Sequence, residues 1–567
     1  MKTRKARLGM GETPGATRIT RKDFLKIGGT GLAGAALLGT AGCGNIFGGE
    51  QGGNGGGGGG TKAVTVNLGD TIRDLDSTTT TDSVSSDVLL NVMSGLYRLD
   101  PSQQPVPDMA EGVEISSDKL TYTFTLKDGV TWSNGDPVTA QDFEYAWLRA
   151  LDPETAGQYA YILSTFIEGA TEFNAGDGSV EDVAINARDD KTLEVKLVSP
   201  SPFWLGLTAF YTYYPQKQSY VEEQGDQYAQ NANSLIYNGP YLLTEFDPTQ
   251  GVTMVKNDDY WDAANTDIQR VEGRIVKELE TSVNLYESGE LDETEIDGQY
   301  VAEFRDSPDF WSQTYFATFY MVPNLEAIPL FQNVNVRKAL QMGFDREALV
   351  NQILQNGSEP ASGYVPDGID GPGDQTFREA VGPTMPEYNP EEARRLFEQG
   401  VEEEGGENPQ VELLAYDDST ARDIATFLQS QLQDNLGMNI NVNVQPFDRK
   451  LELEANGEFQ LSWQGWIADY NDPMTFLDLW ETESPFNTGG YSNPEYDDLI
   501  NQAQEETDFA RRMQLMMDAE EVLVADDAAT APMYFEGEAH LLRPTIKNFV
   551  DHQYGAGLDA KWWRLEG

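Results

Sequence analysis

The chain is poor in the residues that most often do chemistry. A single cysteine, Cys43, in 567 residues excludes a disulfide, a zinc cage or a CxxC redox pair within one chain. The two histidines, His540 and His552, lie near the C-terminus in no HExxH motif, no GxSxG-type nucleophile context and no glycine-rich phosphate loop. Hydrolytic triads and histidine-metal sites are therefore not indicated, and neither a metal nor a cofactor is implied. Positive charge is also scarce, with 38 Lys and Arg against 94 Asp and Glu. So many carboxylates place acid pairs at catalytic spacing by chance, and a glycosidase-like pair carries no weight. The run Asp367 to Asp374 offers oxygen ligands and glycines but lacks EF-hand spacing, and it reads as a loop. The apolar segment Ile27 to Gly42 is too short and too glycine-rich for a membrane span, which needs about 20 apolar residues.

That segment has another use. A basic stretch ending in Thr20-Arg21-Lys22-Asp23-Phe24-Leu25-Lys26 precedes it, and Thr40-Ala41-Gly42-Cys43 follows. The pattern reads as an export signal over residues 1–42 ahead of a lipid-attachment cysteine, Cys43. It resembles a twin-arginine signal, with Lys22 where the second arginine is usual. Ten of the thirteen residues from Gly48 to Gly60 are glycine, so 43–61 is a flexible leash of roughly 20–25 Å root-mean-square span. The expected location is the outer face of the cell membrane, lipid-anchored.

The net charge is −56, and −62 once residues 1–42, with eight Lys/Arg and two Asp/Glu, are removed. Self-repulsion of that size destabilises a compact state unless salt screens it, and molar salt shortens the Debye length to about 3 Å. A salt-loving, haloarchaeal source is expected. Disorder is excluded by 39% hydrophobic and 11% aromatic residues, and nucleic acid is not a partner for such a surface.

About 507 residues follow the leash, enough for two to four domains. Leu120 to Leu126 alternates as a half-buried strand should, as do Leu193, Val195 and Leu197. Thr139, with Asp142 three residues on, starts a helix whose apolar face is Phe143, Ala146, Trp147 and Ala150. Asn389-Pro390 opens another, which Gly400 is expected to close. A strand at 411–416, a helix from Ser419 to about Asn435 stopped by Gly437, and a strand at 438–444 predict a β-α-β unit. Helices are predicted at 494–504 and 509–525. The class is α/β with more than one lobe, and the proline- and glycine-rich stretches 323–329 and 363–386 are candidate crossings or surface loops.

Five segments carry a resemblance. Val130-Thr-Trp132-Ser-Asn134-Gly135-Asp136-Pro137 through Phe143 is similar to a signature stretch of extracellular solute-binding proteins of the oligopeptide-binding class, receptors of peptide ABC importers. Asn238-Gly239-Pro240-Tyr241, Asn257-Asp258-Asp259-Tyr260-Trp261, Val336-Arg337-Lys338-Ala339-Leu340 with Asp345-Arg346, and Gly465-Trp466-Ile467-Ala468-Asp469-Tyr470-Asn471-Asp472-Pro473 follow in the family's order. The resemblance implies a two-lobed, periplasmic-binding-protein-like fold (type II, cluster C) with an inserted domain. Domain I would comprise 62–100, 214–325 and 530–567, domain II 101–213, and domain III 326–529. It implies a monomeric, non-enzymatic receptor that closes on a peptide and delivers it to a permease. Alternatives are the same fold binding an oligosaccharide or a metal chelate and, more remotely, a secreted hydrolase or a surface structural protein.

By the same resemblance, Asp469 pairs with the peptide's α-ammonium, a feature common to unblocked peptides that a buried carboxylate recognises without reading side chains. A turn or helix-cap role for Asp469 is the competing reading. Trp466, Ala468 and Tyr470 would flank the cleft. Trp463 stands where some members place an arginine for the peptide carboxylate, so that clamp is different or absent, and Arg422 is a candidate substitute.

Overall fold

The computed structural model describes residues 62–417 and 419–566; the export signal, Cys43 and the glycine leash lie outside them. Among the described residues eleven strands share one sheet, and two of them are much the longest, at 14 and 12 residues. From one edge the order is Asn439–Gln445, Gln410–Tyr416, Leu461–Ile467, Phe310–Pro323, Ala531–Leu542, Glu293–Ile296, Ala63–Asn67, Arg270–Arg274, Gly251–Lys256 and Tyr241–Asp247, with Glu359–Pro360 paired to Ala531–Leu542. Phe310–Pro323 and Ala531–Leu542 are the long members. The last residues of Ala531–Leu542 pair with Glu293–Ile296 and with the first residues of Phe310–Pro323 in one lobe, and the last residues of Phe310–Pro323 pair with Leu461–Ile467 in the other. They are the crossing strands.

The ladder between them is interrupted from Thr314 to Thr318. There the Phe316 N–H donates to the Gln553 carbonyl at 3.0 Å, and the Phe316 carbonyl accepts from Ala468 N–H at 2.8 Å. The lobes are thus joined by extended backbone, whereas the proline- and glycine-rich stretches are not crossings. After Pro323 the chain stays with the second lobe, where Leu325 N–H meets the Gly489 carbonyl. The 363–386 stretch is anchored by Tyr364 and Phe377, both fully buried, and by Arg378 paired to Glu520, while Asp367, Asp370 and residues 373–375 lie on the surface as a loop would.

A four-stranded antiparallel sheet, Ala110–Ile115, Thr121–Leu126, Thr192–Lys196 and Ile185–Asp189 in that order, carries the alternating segments read from the sequence. The helix Ala140–Leu151 begins where predicted: Thr139 N–H donates to the Asp142 carboxylate at 3.0 Å, and Phe143, Ala146, Trp147 and Ala150 are buried. Trp147 meets Trp204 and Tyr213 edge-on, because offset and edge contacts suit aromatic quadrupoles.

The β-α-β unit also forms, with Gln410–Tyr416 parallel to Asn439–Gln445, helix Ser419–Leu436 between them, and Gly437 at φ +74° ending the helix. The helix at Pro390 runs through Gly400 to Glu403. Gly400 does not stop it; a Cβ there would sit 2.5 Å from Val336 Cγ2, so glycine permits helix–helix contact instead.

Four of the family-like segments are scaffolding. Trp132 Nε1 donates to Asp142 at 3.1 Å, and Ser133 N–H donates to the Tyr237 carbonyl. Asn238 accepts from Ser94 N–H and donates to its carbonyl, both at 3.0 Å, holding the next residue, Gly239, against the end of helix Ser83–Val92. A Cβ on Gly239 would come within 2.5 Å of that backbone. Asn257 donates to the Gly239 carbonyl, and Arg337 to the carbonyls of Phe331, Gln332 and Asp527. The fifth segment leaves a carboxylate over.

Candidate ligand-binding site

Strand Leu461–Ile467 ends where the lobes meet, and Ala468 to Pro473 turn the chain into the short helix Met474–Leu477. Asp472 does the structural work of this turn. Its side chain accepts from Met474 N–H at 3.0 Å and receives Arg512 bidentately at 2.6 and 2.9 Å, all buried. Asp469 is thereby released from capping. Its own N–H is held by Thr475 Oγ1 at 3.1 Å, and its carboxylate accepts from the Tyr161 hydroxyl at 2.7 Å. Tyr161 belongs to the chain around the four-stranded sheet, 308 positions away in sequence, so this bond spans the cleft.

Asp469 is 8% exposed and opens on a cavity of about 310 Å³ lined by Tyr161, Phe166, Trp466, Tyr470, Phe486 and Gln504, together with Asp478, Glu481 and Glu483. No lysine or arginine is among its lining residues. Burial pushes the Asp469 carboxyl up to about 7, with the Tyr161 bond a smaller opposing effect. Burial also raises Asp478, reinforced by repulsion from Glu481, and it raises Tyr161, so that this phenol stays a donor. A desolvated carboxylate, more carboxylates around it and no resident cation make a site that gains from a ligand carrying positive charge.

Aromatic rings close the walls. Tyr470, 3% exposed, stacks on Phe203 at 4.1 Å and 9°, and meets Phe166 edge-on. Trp466 is half-buried, edge-on to Phe486 at 5.0 Å, and Phe486 in turn meets Tyr161 at 5.6 Å. Ala468 is buried and contributes backbone, through its bond to Phe316.

The other two candidates lie elsewhere. Trp463 is not on the wall of this cavity; it is buried in the core of the second lobe, between Phe319 and Tyr416. It faces inward because alternation along Leu461–Ile467 puts it on the side covered by helices of that lobe. Arg422 is exposed near the start of helix Ser419–Leu436 and does not line the cavity either. Sequence reasoning missed Tyr161, at the start of the four-residue helix Tyr161–Ser164, and Phe166 and Phe486, both in turns, because such short pieces carry no motif or periodicity to mark them.

The model for bacterial extracellular solute-binding proteins, family 5, matches residues 104–488. The dipeptide-binding protein DppE of Bacillus subtilis (strain 168) is 35% identical over 482 residues, 85% of this chain and 88% of that one. The probable deoxycholate-binding periplasmic protein YgiS of Escherichia coli (strain K12) is 31% identical over 487 residues, 84% of this chain and 89% of that one. Among solved structures, Listeria monocytogenes OppA bound to peptide superposes with a TM-score of 0.78 at 34% identity, covering 90% of this chain and all of that one. With the two-lobed α/β fold and the sequence match in agreement over most of its length, the chain belongs to family 5 of the bacterial extracellular solute-binding proteins.

Proposed function

We propose that this protein captures peptides in the cleft between its lobes and that Asp469 binds the ligand's α-ammonium. The observation that carries the reading is a buried carboxylate, relieved of turn duty by Asp472, facing a cavity lined by further carboxylates and no cation. An ammonium beside Asp469 restores the charge partner that burial withholds, through a charge-assisted hydrogen bond. Trp466, Tyr470 and Phe486 supply apolar walls that exclude water around it.

The wider role is that of a monomeric, non-enzymatic receptor exported and held by lipid on Cys43, handing peptides to an ABC permease. Domains I (62–100, 214–325, 530–567), II (101–213) and III (326–529) would move as the cleft opens and closes, with the crossing strands as hinge.

The test is a thermodynamic cycle by calorimetry in high salt, with one peptide carrying a free or an N-acetylated amine against wild type and Asp469→Asn. Asp469→Asn should weaken binding of the free peptide by roughly 1.5–3 kcal/mol or more, the range for a hydrogen bond to a charged group. Acetylation should cost a similar amount in the wild type and little more in the variant, because each change removes the same pair. Equal affinity of the wild type for both peptides refutes amine recognition.

A further inference from the structure

A second cavity, of about 440 Å³, opens beside the crossing strands on the side of Glu293–Ile296. Period-two alternation puts Glu536, Glu538 and His540 on one face of Ala531–Leu542, and Glu293 and Glu295 of the adjacent strand line the same cavity. Asp551, from the C-terminal loop, completes the group. The lining holds seven carboxylates, one imidazole and no lysine or arginine. Like charges on neighbouring strand positions repel, so a sheet face of this composition is costly without a cation.

His540 has a definite orientation. Its Nδ1 lies 2.7 Å from Glu293 Oε1, with both side chains buried, and Trp311 packs edge-on against the ring at 5.2 Å. In the tautomer that carries its proton on Nδ1 toward Glu293, Nε2 offers a lone pair toward Glu538 Oε2 at 3.4 Å and Asp551 Oδ2 at 3.6 Å. His540 is 4% exposed, and neither Nε2 nor Glu538 Oε2 has a hydrogen-bond partner. The ligand atoms of Glu538, His540 and Asp551 all lie within 4.8 Å of one another. Metal–ligand bonds of about 2.0–2.2 Å at tetrahedral angles set ligand atoms a little over 3 Å apart, so modest contraction suffices. A carboxylate on the far nitrogen is the usual support for a metal-ligating histidine. Tyr315 donates at 2.5 Å to Asp551 Oδ2, the oxygen that also faces Nε2, and so fixes its position.

We infer that Glu538, His540 and Asp551 form a binding site for a divalent first-row transition-metal ion, with Glu293 as the positioning residue for His540. One imidazole and two carboxylates suit zinc, cobalt, iron or manganese rather than a thiophilic ion. The absence of a histidine motif in the sequence does not argue against it, because strand pairing and a distant loop assemble the ligands.

The experiment uses the mature chain in molar KCl with excess Mg²⁺, so that the acidic surface is saturated. After chelator treatment, Co²⁺ is titrated and followed by visible absorption and metal analysis. One Co²⁺ per chain is expected, displaced by Zn²⁺. His540→Gln and Glu538→Gln should each lower its affinity at least 100-fold, and Glu293→Gln about 10- to 100-fold. Asp469→Asn should leave it unchanged, which separates this site from the peptide site. No stoichiometric Co²⁺, or undiminished affinity in His540→Gln, overturns the inference. Should His540→Gln fail to fold, undiminished affinity in a folded Glu538→Gln overturns it equally. A preference for lysine-containing peptides that Glu538→Gln abolishes, with no Co²⁺ bound by the wild type, would reassign the cavity to a ligand's side chain.

Discussion

Asp469 should make the empty protein less stable as pH rises. Its carboxyl ordinarily titrates near 3.8, and burial lifts it to about 7 in the folded chain. A carboxyl with a raised folded pKa contributes its full stability below the unfolded value, and that contribution is lost as pH climbs through the folded one. At 1.36 kcal/mol per pH unit, the penalty accumulates to about 4 kcal/mol by pH 7 and is constant above it. Asp469→Asn removes the ionisation while keeping an acceptor for Tyr161. The variant should therefore match the wild type near pH 4 and exceed it by up to about 4 kcal/mol at pH 8. Urea denaturation at fixed molar KCl measures this, and a free-amine peptide should raise wild-type stability at pH 8 far more than that of the variant. A difference between the two proteins that is the same at both pH values would refute the argument. So would a wild type that is the more stable at pH 8.

Three further outcomes are expected. Arg98, 3% exposed and bonded to Asp108, Asp559 and the carbonyls of Leu90 and Met93, leaves two buried carboxylates behind when changed to methionine, costing about 3–5 kcal/mol. Burial alone would raise Asp559, but Arg98 and His552 overcome it and hold the carboxyl at about 2, so the wild-type advantage in urea denaturation should shrink as pH falls from 4 to 2. With −62 on the mature chain, the melting temperature should climb steeply from dilute to molar KCl, and a flat profile would remove the salt-adaptation reading. Cys43→Ala should move the protein from the membrane fraction to the medium or leave an unprocessed precursor, and unchanged fractionation and mass would remove the lipid anchor.

Local order was legible where local forces decide it. The Thr139 helix start, the alternation of Thr121–Leu126 and the positive φ at Gly437 each follow from a few adjacent residues, and the sequence predicts them correctly. Gly400 was misread because the reason for its glycine is Val336, on another helix. Asp469 could be singled out by resemblance, but its release from capping depends on Arg512 reaching Asp472 from 40 residues on. Tyr161 and the Glu538–His540–Asp551 group come together only through long-range pairing, which leaves no periodic trace in the chain.

The gap in the ladder between Thr314 and Thr318 bears on how hard the two lobes are to separate. Hydrogen bonds between the crossing strands are already absent at that point, so swinging the lobes apart need not break that part of the sheet. Lateral contacts add to the hold there, among them the Tyr161–Asp469 bond, worth about 1.5–3 kcal/mol, and the Phe203–Tyr470 and Tyr161–Phe486 ring contacts, about 0.5–1.5 kcal/mol each. Resistance to opening would then be set by a handful of side chains at the rim rather than by the backbone at the pivot. Substitutions at the rim could retune the lifetime of the shut state while leaving each lobe's melting behaviour untouched.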